Sequence, residues 1–525
     1  MAGVKGESLR GALMVCGTSS DAGKSQVVTG LCRLLARRGV NVAPFKAQNM
    51  ALNSYVTPSG HEIGRAQGVQ ALASGLDPTV EMNPILLKPT GERTSQVVVM
   101  GTPIGHFDAV RYHAEKPRLL QTVLDALATL RARHDVVILE GAGSPAEINL
   151  LDHDIVNLRV AKEAGDIPAI LVGDIDRGGV FASLVGTVML LPDPLRTLVR
   201  GFVINKFRGD PALLAPGLDD LLRITGVPTL GVLPWTYGLD LDAEDSLSLR
   251  GAQHGDPTDN GASGPLGDSL DIAVIRLPRI SNFTDLDALA IEPGVSVRYV
   301  EHPGVLGDPD LVIVPGSKST VSDLQWLRGR GLDVALARCT TVLGVCGGYQ
   351  MLGHEITDPA AVESSLSGEK PGGEEPGSVD GLGLLPVSTR FESTKVTRQR
   401  RGNCMGQRVT GYEIHHGQVT GSSTGWVRLD DNYGAEPEGC VTADGAVLGT
   451  MMHGLFESDG FRSVFLTEIG RRRGKCFVPA GVSFRAAREA QFDRIADLIE
   501  AHLDLDATTR LIASAPARIS KAETA

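Results

Sequence analysis

A cysteine at the end of an apolar run is the most reactive side chain this sequence offers. Residues 341–345, Thr-Val-Leu-Gly-Val, stop at Cys346, and Gly347, Gly348 and the helix-compatible Tyr-Gln-Met-Leu follow. Strand, sharp turn and helix in that order hold a nucleophile at a turn apex. A helix N-terminus beneath the sulfur favours thiolate over thiol. The glycines let a carbonyl approach the N–H of Gly347, which would act as one oxyanion donor. Most buried cysteines only pack, so the neighbouring segments carry the argument. Upstream, the apolar run 311–314 breaks at Pro315-Gly316-Ser317, a tight turn whose amides, Gly316 among them, would complete an oxyanion hole. Downstream, the run 447–452 delivers His453. Turn, cysteine and histidine together are the parts of a thiol nucleophile with its base.

A second set of reactive residues lies near the start. Gly17-Thr18-Ser19-Ser20-Asp21-Ala22-Gly23-Lys24-Ser25 follows an apolar run and opens an amphipathic one. It is a P-loop with one residue more than usual between its glycines. Backbone amides around Gly23 would cradle phosphates, Lys24 would meet the terminal ones, and Ser25 would hold Mg2+, which makes ATP the expected ligand. Ligands of open parallel sheets sit beyond the carboxyl ends of the strands, and those ends here are polar. After the second run come Lys46, Gln48, Asn49 and Asn53, expected to meet a substrate carboxylate or a developing acyl phosphate. Glu140 ends the run 136–139 ahead of Gly-Ala-Gly and is the expected second metal ligand. Asp174 and Asp176 end another run; Asp176 is taken for substrate, while Asp174 would serve metal or substrate or cap the next helix. Asn205, beside Lys206, would contact a nucleotide base.

The elements that must position these groups follow from the hydrophobic pattern. Short apolar runs at 12–16, 40–43, 136–139, 169–172, 201–204 and 229–233 alternate with amphipathic stretches at 24–38, 64–74, 117–133 and 180–190. That alternation predicts parallel strands wrapped by helices. Residues 251–270, rich in Gly, Asp, Ser and Pro, read as a linker. The alternation resumes at 271, residues 359–380 read as a surface insertion, 484–503 as a helix, and the chain from 514 as a polar tail.

The order of these pieces resembles two families. Residues 271–475 are similar to class I glutamine amidotransferases, which implies that Cys346 attacks the glutamine side-chain amide and forms a thioester while His453 serves as base and then acid. Many members carry a glutamate two residues past the histidine. Here that position is Leu455, and Glu457 is either its substitute or an ordinary helix-start acid. The elongated P-loop is similar to that of dethiobiotin synthetase, which makes an acyl phosphate. Taken together, the P-loop, residues 44–55, 62–67, 139–149, 174–179, 205–208 and 281–285, Pro315-Gly316-Ser317-Lys318-Ser319-Thr320 and Gly411-Tyr412-Glu413-Ile414-His415-His416-Gly417 resemble the cobyric acid synthase family from residue 12 to about 457. The resemblance implies an α/β protein with two domains: a P-loop doubly wound parallel sheet of the dethiobiotin synthetase kind at 1–250, and an α/β class I glutamine amidotransferase domain at 271–475. A C-terminal extension would occupy 476–525. It further implies ATP- and glutamine-dependent amidation of the b, d, e and g carboxylates of a corrinoid, adenosylcobyrinic acid a,c-diamide. The sister a,c-diamide synthase, or a partitioning-type P-loop ATPase with a decayed amidotransferase domain, are the competing readings.

Composition narrows the class. The chain has 525 residues, 62 acidic against 50 basic, for a formal charge of −12, which argues against a nucleic-acid partner. Seven scattered cysteines with no CxxC pair predict neither a disulfide framework nor a zinc site, and suit a reducing cytoplasm. The polar first ten residues and the short run after them predict neither a signal peptide nor a membrane span.

Overall fold

The computed structural model describes residues 9–91, 93–236, 238, 267–359, 362–363, 377–421, 425–431 and 434–515. Most of the expected linker and insertion, and the tail from 516, lie outside the described residues.

Strand β1 (Gly11–Gly17) feeds helix α1 (Lys24–Arg37), and β2 (Val42–Phe45) lies beyond it. The chain then leaves this layer for a small sheet: β3 (Gln48–Met50), helix α2 (Arg65–Ala73), β4 (Ile85–Pro89), β5 (Thr94–Val99) and β6 (Thr102–Asp108). Helix α3 (Ala109–Arg133) returns it to the main layer, where β7 (Val136–Glu140), β8 (Ala169–Asp174), β9 (Val199–Phe207) and β10 (Thr229–Pro234) follow. The main sheet has the order β10-β9-β8-β1-β7-β2, all parallel. Every residue of β1, β7 and β8 is buried, as a sheet covered on both faces requires. The expected strands and helices of this half are all present. Helix α3 begins at Ala109, ahead of the expected 117, because the Asp108 side chain accepts from the Arg111 amide and caps it.

The small sheet, order β3-β4-β5-β6, has no counterpart in the expected elements. Its strands carry Lys88, Gln96 and His106 among their apolar residues, so hydropathy hides them.

The second half builds β11 (Leu270–Ile275), β12 (Val295–Val300), β13 (Leu311–Val314) and β14 (Val342–Val345), the last running into helix α4 (Gly347–Leu352). The long antiparallel pair β15 (Val387–Cys404) and β16 (Gln407–Gly421) follows, then β17 (Cys440–Val441) and β18 (Val447–Thr450). The sheet order is β12-β11-β13-β14-β18-β17, parallel except for its last pair. Beyond it, α5 (Phe484–His502) and α6 (Leu505–Ser514) pack on the first half. Ala496 and Ile499 join the apolar cluster of Val27 and Leu31 on α1, and Arg33 on α1 pairs with Asp493 at 2.8 Å.

Polar contacts tie the two halves together. The Ser54 amide donates to Asn282 Oδ1 at 2.9 Å, and Gln399 donates to the Val56 carbonyl at 3.0 Å. Among the described residues no helix is long and apolar enough to cross a membrane.

Candidate active sites

The buried strand β14 ends at Cys346, whose φ of 49° and ψ of −109° are strained for a residue with a side chain. Glycine is obligatory next to it. A Cβ at Gly347 would lie 2.8 Å from the Ser317 nitrogen, and one at Gly348 1.9 Å from the Val314 oxygen. The elbow therefore presses against the turn after β13. A Cβ on Gly316 would lie 3.0 Å from His453 Cε1, so the two expected oxyanion residues, Gly316 and Gly347, flank the pair of Cys346 and His453.

His453 is buried and stacks on Tyr412 at 5.2 Å. Its Nδ1 lies 2.6 Å from Asp285 Oδ2, and the other carboxylate oxygen accepts the Gly454 amide at 2.8 Å. Burial alone would make the ring less basic. The Asp285 carboxylate, the Cys346 sulfur and hydrogen bonds to both outweigh it, and the imidazole is raised to about 10. Sequence reasoning quoted Ser281-Asn282-Phe283-Thr284-Asp285 without giving any of them this role. Asp285 stands 168 residues from His453, and only the fold joins them. Glu457 is turned elsewhere, onto Arg65 at 3.0 Å and Arg488 at 3.3 Å, where it links the first half to α5. His415 and His416 each direct Nδ1 to a backbone carbonyl.

Asp285→Asn is expected to lower glutamine hydrolysis by on the order of 10³–10⁴-fold, by analogy with loss of the orienting carboxylate in other triads. The sign of the pH effect follows from the same contacts. Imidazolium persists up to about 10 while Asp285 is charged. Without that carboxylate burial dominates, and the basic limb of the residual activity moves to lower pH. Rates of glutamate release across pH check both.

At the first site, Gly23 caps α1 with a φ of 102°, and a Cβ there would collide with Asn205 Nδ2 at 1.9 Å. Lys24 donates to the Ser19 carbonyl at 2.8 Å and to the Gly143 carbonyl at 3.2 Å, across the mouth of the loop. Ser25 donates to Glu140 Oε1 at 2.9 Å, so the two expected metal ligands are neighbours. Glu140 is buried, yet Lys46 at 3.0 Å, Gln70 at 2.5 Å and Ser25 overcome that burial and hold its carboxyl below the usual range. A hydroxyl and a carboxylate suit Mg2+, which takes its remaining ligands from phosphate and water. Among the described residues no group of three or more His, Cys, Asp or Glu side chains could hold a metal.

The other expected groups are distributed more widely. Lys46 sits on Glu140. Asn49 donates to Gln67 at 3.0 Å, and Asn53 accepts from the Phe283 amide at 3.3 Å, both buried. Asn205 donates to the Ala22 carbonyl at 3.1 Å and braces the P-loop from beneath. Asp176 pairs with Arg208 at 3.0 Å at the end of β8. Gln48, held by the Tyr112 hydroxyl, alone of these lines a cavity of about 470 Å³. Leu87, Val97, Phe107 and Ile155 give it apolar walls, Arg93 and Lys116 stand against Asp108, Glu147 and Asp154, and Ala142 and Ser144 flank the Gly143 carbonyl that holds Lys24.

Residues 271–461 match the family model of the CobB/CobQ-like glutamine amidotransferase domain, and residues 13–248 that of the CobQ/CobB/MinD/ParA nucleotide binding domain. The cobyric acid synthase of Streptomyces coelicolor is 54% identical over 517 residues, covering 96% of this chain and 97% of its own. The enzyme of the same name from Rhodococcus jostii is 53% identical over 516 residues, covering 97% and 96%. That of Nocardia farcinica is 52% identical over 524 residues, covering 96% and 97%.

Proposed function

The chain belongs to the cobyric acid synthase family, and we propose that its two sites work in series as a glutamine-dependent amide ligase on a corrinoid. Cys346 attacks the side-chain amide of glutamine, and the oxyanion is met by the N–H groups of Gly347 and Gly316. His453, held by Asp285, gives its proton to the departing ammonia. Water then cleaves the thioester, with His453 now the base, and releases glutamate.

The released ammonia needs an activated acid, since a carboxylate does not condense with it in water. At the P-loop, the Gly23 amide region and Lys24 bind the phosphates of ATP, and Asn205 keeps the loop in shape. Ser25 and Glu140 would hold Mg2+, which draws charge from the transferring phosphoryl group. A substrate carboxylate attacks the γ-phosphorus, ADP leaves, and ammonia displaces phosphate from the acyl phosphate to give the amide. Lys46, through Glu140, fixes the charge balance of that site, while Gln48 meets the substrate.

The cavity beside the P-loop supports a corrinoid. Its apolar walls suit one face of a macrocycle, and Arg93 and Lys116, set among the acids Asp108, Glu147 and Asp154, offer cations to peripheral carboxylates. The proposed acceptors are the b, d, e and g carboxylates of adenosylcobyrinic acid a,c-diamide. Mass spectrometry of that corrinoid after incubation with the protein, Mg-ATP and glutamine tests it. Four successive hydroxyl-to-amino exchanges, dependent on ATP, are expected. An unchanged corrinoid alongside glutamine hydrolysis would assign the ligase another acid.

A further inference from the structure

The two faces of the small sheet look onto different cavities. Lys88 on β4 pairs across the strands with Gln96 on β5, and Gln96 with His106 on β6, so the three side chains form one row. That row lines the Cys346 pocket, together with Lys318, Lys395 and His416 from the glutaminase half. The alternate residues Leu87, Pro89, Ser95, Val97 and Phe107 point the other way and line the cavity beside the P-loop. A single layer of strands therefore divides the place where ammonia is made from the place where it is used.

Two buried ring nitrogens on this seam, His106 Nδ1 and His416 Nε2, have no hydrogen-bond partner. His416 directs its other nitrogen to the Glu392 carbonyl at 3.1 Å, so the proton sits there and Nε2 is a bare acceptor. Burial and the charges of Lys318 and Lys395 push both imidazoles down to about 4, and they stay neutral. Around them stand three lysines and two carboxylates, Glu62 and Glu363, and Glu363 is spent on the amides of Thr320 and Val321. Lys318 donates to Gln96 Oε1 at 3.1 Å, while Lys88 at 2.6 Å and Lys395 share the one carboxylate of Glu62. Burial and the neighbouring lysines pull Lys318 toward its neutral form, and the same field acts on any ammonium placed there. The seam thus repels the cation and offers acceptors to N–H donors.

We propose that the row Lys88, Gln96 and His106, faced by His416, receives the ammonia released at Cys346 and passes it on uncharged to the corrinoid cavity. The exit is the edge of the sheet. Strand β6 is its last strand, its register shifts where Gly105 pairs with Val97, and Phe107 and Asp108, just past His106, already line the cavity. The two histidines are positioning residues: they hold ammonia and do not touch the acid it attacks.

This inference rests on the ligase reading, and one set of assays separates the two. Glutamate release, amide formed from glutamine and amide formed from ammonium are measured for the parent, His106→Phe and His416→Phe. In the variants, the ratio of ammonia lost to the medium to ammonia captured as amide, taken from glutamate released less amide formed, is expected to rise about fivefold, the partition change of roughly 1 kcal/mol. Synthesis from ammonium is expected to stay at the parental rate. His416→Gln, which returns an acceptor, is expected to restore the ratio and keeps the test open if a larger ring disturbs folding. An unchanged ratio in the Phe variants, or equal ratios for His416→Phe and His416→Gln, overturns the proposal. A parent that forms no amide from either nitrogen source defeats the ligase reading itself.

Discussion

Cys346→Ala protein is expected to release no measurable glutamate from glutamine and still to amidate its substrate from ammonium at the parental rate. The sulfur is the only heavy atom removed. Its strained turn is set by the glycines on its C-terminal side and by strand β14, which alanine leaves in place. Loss of the nucleophile eliminates the covalent route, for which losses of about 10⁶-fold are known in comparable sites. The P-loop contacts of Lys24 to Ser19 and Gly143, and of Ser25 to Glu140, lie outside the cysteine elbow. Equal loss with glutamine and with ammonium would sink the two-site mechanism.

Lys24→Met should show the complementary pattern, with amidation from both nitrogen sources lowered by on the order of 10³-fold and basal glutamine hydrolysis retained. The ammonium group now spans the carbonyls of Ser19 and Gly143 at the mouth of the loop. Phosphates arriving there offer it stronger acceptors than two carbonyls, and the same charge then meets the oxygens that gain charge during transfer. Methionine matches the length and leaves the loop without that cation. Substrate-dependent ADP release is the readout, and its persistence at the parental rate would exclude Lys24 from the phosphoryl step.

What could be read from the chain was what the chain encodes locally. An apolar strand followed by Cys-Gly-Gly, or by a glycine-rich run ending in Gly-Lys-Ser, fixes its own turn, so Cys346 and Lys24 were visible with their surroundings. Asp285 was not, because its value to His453 arises only when a loop after β11 meets the end of β18. The amides after β2 illustrate a different limit. Asn49, Asn53 and Gln48 have the same hydrogen-bonding capacity, and a sequence does not say whom each will satisfy. The fold used Asn49 on Gln67 and Asn53 on the Phe283 amide, leaving Gln48 at the cavity. The small sheet escaped notice for a related reason. A strand whose polar residues face a partner domain has the hydropathy of a loop, and Lys88, Gln96 and His106 are that kind of residue.

The return of α5 and α6 to the first half bears on how the protein is made. Helix α1, which carries the P-loop lysine, lacks its outer neighbour until Ile495 and Ile499 arrive against Gly30 and Asp493 against Arg33. On a ribosome delivering roughly 5–20 residues per second, those residues emerge only tens of seconds after α1. The nascent ATP site therefore waits, incompletely buttressed, while the whole glutaminase half is translated and folds. A translation product cut short before α5 would carry the P-loop without its outer wall.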